Sequence, residues 1–140
     1  MLRQCCTTLT VATRGRELIE ITAEVERWIA AQSMRDGVLT LFVRHTSASV
    51  LIQENADPVV RSDLERWFAR LVTDGDSIFE HRDEGPDDMP AHVRAALLPT
   101  SLAVPLAAGR LVLGAWQGIY LYEHRTRAHR REVTLQLTGA

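Results

Sequence analysis

From Ser101 to the end the chain reads as strands and turns alone, and this constrains the fold more than any other stretch. The runs 101–106, 110–113, 118–124 and 130–138 are each of strand length, and Ala107-Ala108-Gly109 supplies a turn between the first two. Residues 4–13 alternate loosely in β-favouring types. Arg14-Gly15-Arg16 then supplies a turn before a short strand at 17–21, which predicts an N-terminal hairpin. The runs 38–43 and 50–52 flank the polar interruption His45-Thr46-Ser47-Ala48-Ser49. Helices are fewer. Thr22 is placed to cap one that carries Val25, Trp28, Ile29 and Met34 mostly on one stripe and stops at Gly37. Asp57 at an N-cap and Pro58 at the first helical position open a second, with Val60, Leu64, Trp67, Phe68 and Leu71 at helical spacing and Gly75 closing it. Pro90 opens a shorter third through about Leu98, stopped by Pro99. The expectation is one α+β domain over residues 1–140, with a largely antiparallel, sandwich-like β core and two to three outer helices.

Charge excludes several functions. All sixteen basic residues are arginine, and without lysine there is no Schiff-base lysine, no lysine general base and no lysine-bearing phosphate loop. The formal charge is −2 and neither half is a basic block, so no nucleic-acid partner is expected. No apolar run is long enough to cross a bilayer, and Met1 to Thr13 lacks the pattern of a secretion signal; the expected location is the cytoplasm. Cys5 and Cys6, adjacent on a strand, point to opposite faces and read as free thiols.

Four polar clusters interrupt the structural pattern. His45-Thr46-Ser47-Ala48-Ser49, followed by Glu54-Asn55-Ala56-Asp57-Pro58, joins a strand end to a helix N-terminus and suits an anion; the plainer reading has the hydroxyls satisfying turn backbone and Asp57 only capping. Residues 73–88 form a long loop with seven acids against Arg82, and a loop of that length is usually functional or disordered. Within and beyond it, Glu80-His81-Arg82-Asp83-Glu84 and Asp87-Asp88-Met89-Pro90-Ala91-His92 concentrate imidazoles and carboxylates that can bind a divalent cation or simply form a solvated acidic segment. In Gly114-Ala115-Trp116-Gln117-Gly118 the glycines suggest a bulge that aims the indole and amide into a cleft, or a turn with Trp116 in the core. Beyond it Glu123-His124-Arg125, Arg127, Arg130 and Arg131 suit phosphate or a solvated edge. Ser47 and Ser49 lack the setting of a nucleophile elbow, so a serine hydrolase is disfavoured.

HTSAS at 45–49, QENADP at 53–58, EHRDEGPDDMPAH at 80–92, SLAVPLAAGRL at 101–111 and GAWQGIYLYEHR at 114–125 resemble, in order and spacing, the YjbQ family, often labelled secondary thiamine-phosphate synthase. The similarity runs over nearly the whole chain. It implies a compact α+β fold on β-sheet layers and a homotrimer with a pocket near the subunit boundary. The family's polar positions fall on His45, Ser47, Asn55, Asp57, His81, Glu84, Asp88, His92, Trp116, Gln117 and Glu123. Ala115 stands where the family motif commonly has threonine, which removes a hydroxyl from the pocket. The implied reaction couples a pyrimidine pyrophosphate to a thiazole phosphate, aided by a divalent metal, Mg or Zn, and acid–base groups. On that reading His45, His81, His92 and Glu84 are catalytic. Ser47, Asn55, Asp57, Trp116, Gln117, Glu123 and Arg125 bind a small phosphorylated heterocycle, and His81, His92 and Asp88 hold the metal. The alternatives are a non-catalytic binder of metal or phosphorylated metabolites and a metal-dependent enzyme of another substrate.

Overall fold

A computed structural model describes all 140 residues. The elements run β1 (Arg3–Ala12), β2 (Glu17–Glu20), α1 (Thr22–Ala31), β3 (Gly37–Val43), β4 (Ala48–Glu54), α2 (Pro58–Leu71), α3 (Asp88–Leu97), β5 (Ser101–Ala107), β6 (Arg110–Leu111), β7 (Gln117–Glu123) and β8 (Arg130–Gly139). They form two antiparallel sheets, β1-β8-β3-β5-β6 and β2-β7-β4, so the fold is α+β as expected.

The core lies between the sheets. Leu39, Leu41 and Val43 of β3, Val104 and Leu106 of β5, and Val133, Leu135 and Leu137 of β8 meet Ala48 and Val50 of β4 and Ile119 and Leu121 of β7. The α1 residues Val25 and Ile29 close the same cluster. On the other face of the small sheet, Leu18, Tyr120 and Tyr122 pack with Phe68 of α2, against Leu64 and Leu98. Covered on both sides, β7 is a continuous buried run, while β8 and β3 alternate buried and open positions because one face of the large sheet has no helix over it. At the β3–β8 junction Gly37 and Gly139 cross so closely that a Cβ on either would lie within 2.2 Å of a backbone oxygen.

Three local expectations are corrected. Strands β1 and β2 do not form a hairpin: β1 pairs with β8 along its whole length and β2 with β7, so Arg14-Gly15-Arg16 carries the chain from one sheet to the other. A turn signal marks a change of direction and leaves the pairing partner to tertiary fit. Thr22 does not cap α1; Ile21 holds that position, while the Thr22 hydroxyl donates to Glu20 Oε2 (2.8 Å) and accepts the Ile119 N–H (2.8 Å), tying the helix start to β7. The α2 helix ends at Leu71 instead of reaching Gly75, and its apolar stripe is wider than its contact: Phe68 is buried, but Trp67 and Leu71 are exposed. Its start matches expectation, with Pro58 first and Asp57 accepting the Val59 N–H at 2.9 Å.

Candidate metal centre

Asp88 opens α3, and His92 lies one turn on, so both point from the same helix face toward the preceding loop. That loop folds His81 back onto them. His81 Nε2 lies 2.7 Å and His92 Nε2 3.1 Å from the same Asp88 oxygen, Oδ2, and the two rings are 5.6 Å apart. These three potential ligand atoms all lie within 4.8 Å of one another.

Two further contacts fix their orientation. Thr46 presents its carbonyl to His92 Nδ1 at 2.9 Å; a carbonyl only accepts, so Nδ1 carries the hydrogen. In the neutral ring Nε2 then holds a lone pair facing a carboxylate oxygen, an arrangement that calls for a proton or a cation between them. Arg125 takes the other oxygen of Asp88, with Nη1 2.9 Å from Oδ1, and also bonds Asp87 Oδ2 through Nε at 2.9 Å and the Glu84 carbonyl through Nη2 at 2.9 Å. Burial works to raise the Asp88 pKa, but the His81 hydrogen bond and the charges of His92 and Arg125 outweigh it and hold the carboxyl below its ordinary value. Asp87 is likewise pushed well down: against the cost of burial it accepts from Arg125 and from the backbone and hydroxyl of Thr126. The Arg125 guanidinium is raised in turn, chiefly by its bond to Asp87.

The other predicted site residues fall into three groups. His45 sits one residue from Thr46, in a hollow with Arg44, Thr46 and Thr100. Its Nε2 accepts the Glu132 N–H (2.8 Å), which leaves a neutral ring with Nδ1–H as a donor; burial and then the Arg131 charge lower its pKa in the same sense. Ser47, Glu123 and Arg125 are buried and tied into hydrogen bonds and ion pairs within the chain. Glu123, fully buried, binds Arg131, the Thr13 hydroxyl (2.6 Å) and the Arg125 N–H (3.1 Å), while the Ser47 hydroxyl accepts from Arg131 at 2.9 Å. Arg125 and Arg131, read as phosphate ligands, are therefore already paired, and Asp57 is occupied as the α2 cap. Glu84 is exposed, its carboxylate 3.8 Å from Arg125.

Asn55, Trp116 and Gln117 lie at the other end of the small sheet. β4 and β7 pair with Glu54 opposite Gln117 and Ala48 opposite Glu123, so Gln117 is about 20 Å along the strand from Glu123. Asn55 Nδ2 reaches Glu20 Oε2 at 3.5 Å, and Gln117 Oε1 accepts the Gly114 N–H at 2.7 Å. Both line a separate hollow of about 890 Å³ under α1. Trp116, 66% exposed, is neither in the core nor in a cleft with the histidines, because the 114–117 turn swings its ring outward. The chain thus gathers His81, Asp88 and His92, with His45 near, and leaves the indole and the amides apart.

Ser49 and His124 stand in two separate polar clusters of the sequence, and the structure joins them as a fully buried pair with Oγ 2.8 Å from Nε2. Burial, followed by the charges of Arg94, Arg16 and Arg131, pushes His124 down to about 3. Ala48 and Val50 face the core between the sheets, so strand alternation puts Ser49 on the opposite face, and nothing near it in sequence shows that this face is covered too.

Comparison with known proteins decides the family. The family model described as "UPF0047 protein YjbQ-like" matches residues 7–140. The chain belongs to the YjbQ family. It is 47% identical over 131 residues to UPF0047 protein sll1880 of Synechocystis, covering 94% of this chain and 89% of that one. It is 42% identical over 133 residues to UPF0047 protein YjbQ of Escherichia coli O157:H7, covering 94% and 96%. Among solved YjbQ-like folds, the conserved hypothetical protein TT1486 of Thermus thermophilus superposes with TM-score 0.82 at 35% identity, covering 94% and 98%. A YbjQ-like protein of unknown function from Sulfolobus solfataricus gives TM-score 0.90 over 100% of both chains at 23% identity, a likeness of fold. Membership in the YjbQ family thus brings a fold and an uncharacterised function. No helix is long and apolar enough to cross a membrane.

Proposed function

We propose that this YjbQ-family chain is a metal-dependent enzyme acting on a small anionic substrate, with His81, Asp88 and His92 as the ligands of one divalent ion. The observation that carries this is the approach of His81 Nε2 and His92 Nε2 to one oxygen of buried Asp88, with the Thr46 carbonyl fixing the His92 ring. The residues fit such an ion: two imidazoles and one carboxylate oxygen suit zinc, manganese or ferrous iron better than magnesium, which prefers oxygen alone. When bound, the ion supplies Lewis-acid stabilisation of negative charge on a substrate oxygen. Arg125 and the Thr46 carbonyl hold two of the ligands in place, as outer partners of metal ligands do. Exposed Glu84 is free to move a proton, and the His45 Nδ1–H to donate to an anionic group.

The specific reaction implied by the resemblance fits this frame. The carbon–oxygen bond to pyrophosphate breaks, the thiazole nitrogen forms the new carbon–nitrogen bond, and pyrophosphate leaves as an anion, whose charge an ion held by His81, Asp88 and His92 would stabilise. Homotrimer assembly in the cytoplasm belongs to the same proposal. It is supported by the open face of the large sheet, where Val38 and Phe42 are about half exposed beside Thr40, Thr134, Gln136 and Thr138, with Arg44, paired to Glu132, the one charge lining that hollow. The test is zinc and manganese titration of the purified protein with assay of thiamine phosphate formation. Asp88→Asn and His92→Ala are expected to weaken metal binding by at least about 100-fold and to abolish turnover. Wild-type protein that binds no divalent metal overturns the reading; metal binding without turnover on this substrate pair leaves the metal centre and removes the specific reaction.

A further inference from the structure

The loop between α2 and α3 encloses a hollow of about 250 Å³ beside His81. Phe79, Met89 and Pro90 form its apolar walls, Asp76 and Arg82 stand at its rim, and His81 belongs both to its lining and to the ligand cluster. The hollow is held open by backbone. Gly75 and Gly85 have φ of 71° and 106°, values that side chains rarely adopt, and the Gly75 N–H bonds the Pro86 carbonyl at 3.0 Å, joining the two ends of the loop. Arg82 braces the same loop, its Nε donating to the Phe79 carbonyl (2.8 Å) and its Nη2 to that of Ser77 (3.3 Å), and it forms no ion pair.

Size and charge narrow the occupant. An apolar cavity of about 150 Å³ accepts a benzene molecule, and pockets for drug-sized ligands start near 300 Å³, so about 250 Å³ suits one ring. Of the seven carboxylates of segment 73–88, Asp74 is paired with Arg16 and Asp87 and Asp88 with Arg125, which leaves Asp76, Glu80, Asp83 and exposed Glu84 against Arg82, a net negative field that disfavours an anion in the hollow. From this we infer that the hollow seats a single flat ring, uncharged or cationic, of a substrate whose anionic group lies at the His81–Asp88–His92 cluster. The inference rests on that cluster as the reacting centre, but its test does not need the metal.

The chain has three methionines, and only Met89 borders the hollow; Met34 is buried in the core and Met1 is exposed. Metal-free protein labelled with 13C at the methionine methyls is titrated with benzamidine, benzyl alcohol, benzoate and acetamidine. Benzamidine and benzyl alcohol are expected to move the Met89 methyl upfield by ring current and leave Met34 in place, with benzoate at least about fivefold weaker. Phe79→Ala weakens both rings, and Asp76→Asn narrows the gap between benzamidine and benzoate. A Met89 signal that no ring compound moves, or that acetamidine moves equally, overturns the inference. Repeating the titration with zinc present separates the two proposals: failure to bind zinc removes the metal centre, whereas ring binding is read from Met89 alone.

Discussion

At the Glu123 end of β7 the charged side chains are buried against partners, whereas at the Gln117 end of the same seven-residue strand they face solvent. Glu123, Arg125, Arg131, Asp87 and Asp88 form a closed set of ion pairs and hydrogen bonds around the ligand cluster. Around Gln117 stand exposed Glu20, Glu24, Glu26 and Arg110, with exposed Trp116 nearby. The contrast teaches that the polar residues of the two ends are held for different reasons. Buried pairs fix geometry at a desolvation cost that only complete pairing offsets. Open groups cost little to hold and leave their geometry to a ligand or a neighbouring subunit.

The largest way to break the contrast is Arg125→Met, which takes the guanidinium away from two buried carboxylates and leaves Asp87 only its Thr126 bonds and Asp88 only the two imidazoles. It is expected to cost about 3–5 kcal/mol in chemical denaturation. Adding Asp87→Asn and Asp88→Asn should recover much of this loss, because neutral amides remove the stranded charge. If the single variant costs under about 1 kcal/mol, the buried set is not the rigid frame described.

A pH series sharpens the same point. His124, ordinarily near 6.5, is held at about 3 in the fold, so below pH 6.5 the unfolded chain binds a proton that the native state refuses. Stability therefore falls as pH drops, by up to about 1.4 kcal/mol per unit from this one group. Asp87, Asp88 and Glu123, held below their ordinary values, add loss of the same sign only as pH falls through the carboxylate range. His124→Asn should flatten the slope between about pH 6 and 5 and leave the acid limb. An unchanged slope would show that the imidazole is not buried neutral.

At the open end, Asp57→Ala tests whether that residue serves substrate or helix. Loss of the cap is expected to cost about 1 kcal/mol in thermal unfolding, with metal binding unchanged. A drop in metal affinity with intact stability would restore Asp57 to the site.

What could be read from residues alone follows the same division. The α2 start, the antiparallel strands and the convergence of His81, Asp88 and His92 were legible because each depends on local chemistry: a cap, a run, one helical turn between Asp88 and His92. The hairpin at Arg14–Arg16 was misplaced because pairing with β8 or β7 is decided by partners 100 or more residues away in sequence. Arg125 and Arg131 read as free phosphate ligands for the same reason. Nothing near them in sequence shows that Asp87 lies on the neighbouring helix start or that Glu123 turns inward. Of the two readings of Trp116, core residue or cleft wall, the first fails, since an indole usually signals burial and the outward turn of residues 114–117 overrides it.

Trp116 also yields the smallest expected effect on the single chain. With two thirds of its surface open, Trp116→Ala should change the stability of dilute protein by less than about 0.5 kcal/mol. If the open end is completed by a neighbouring subunit, the same substitution acts on association instead. Wild-type melting temperature then rises with protein concentration, as mass action requires, and that of the variant stays flat. Sedimentation equilibrium reads the same difference as a shift from trimer toward monomer. Equal, concentration-independent melting of both proteins would leave the Gln117 end as the solvent-facing surface of a monomer.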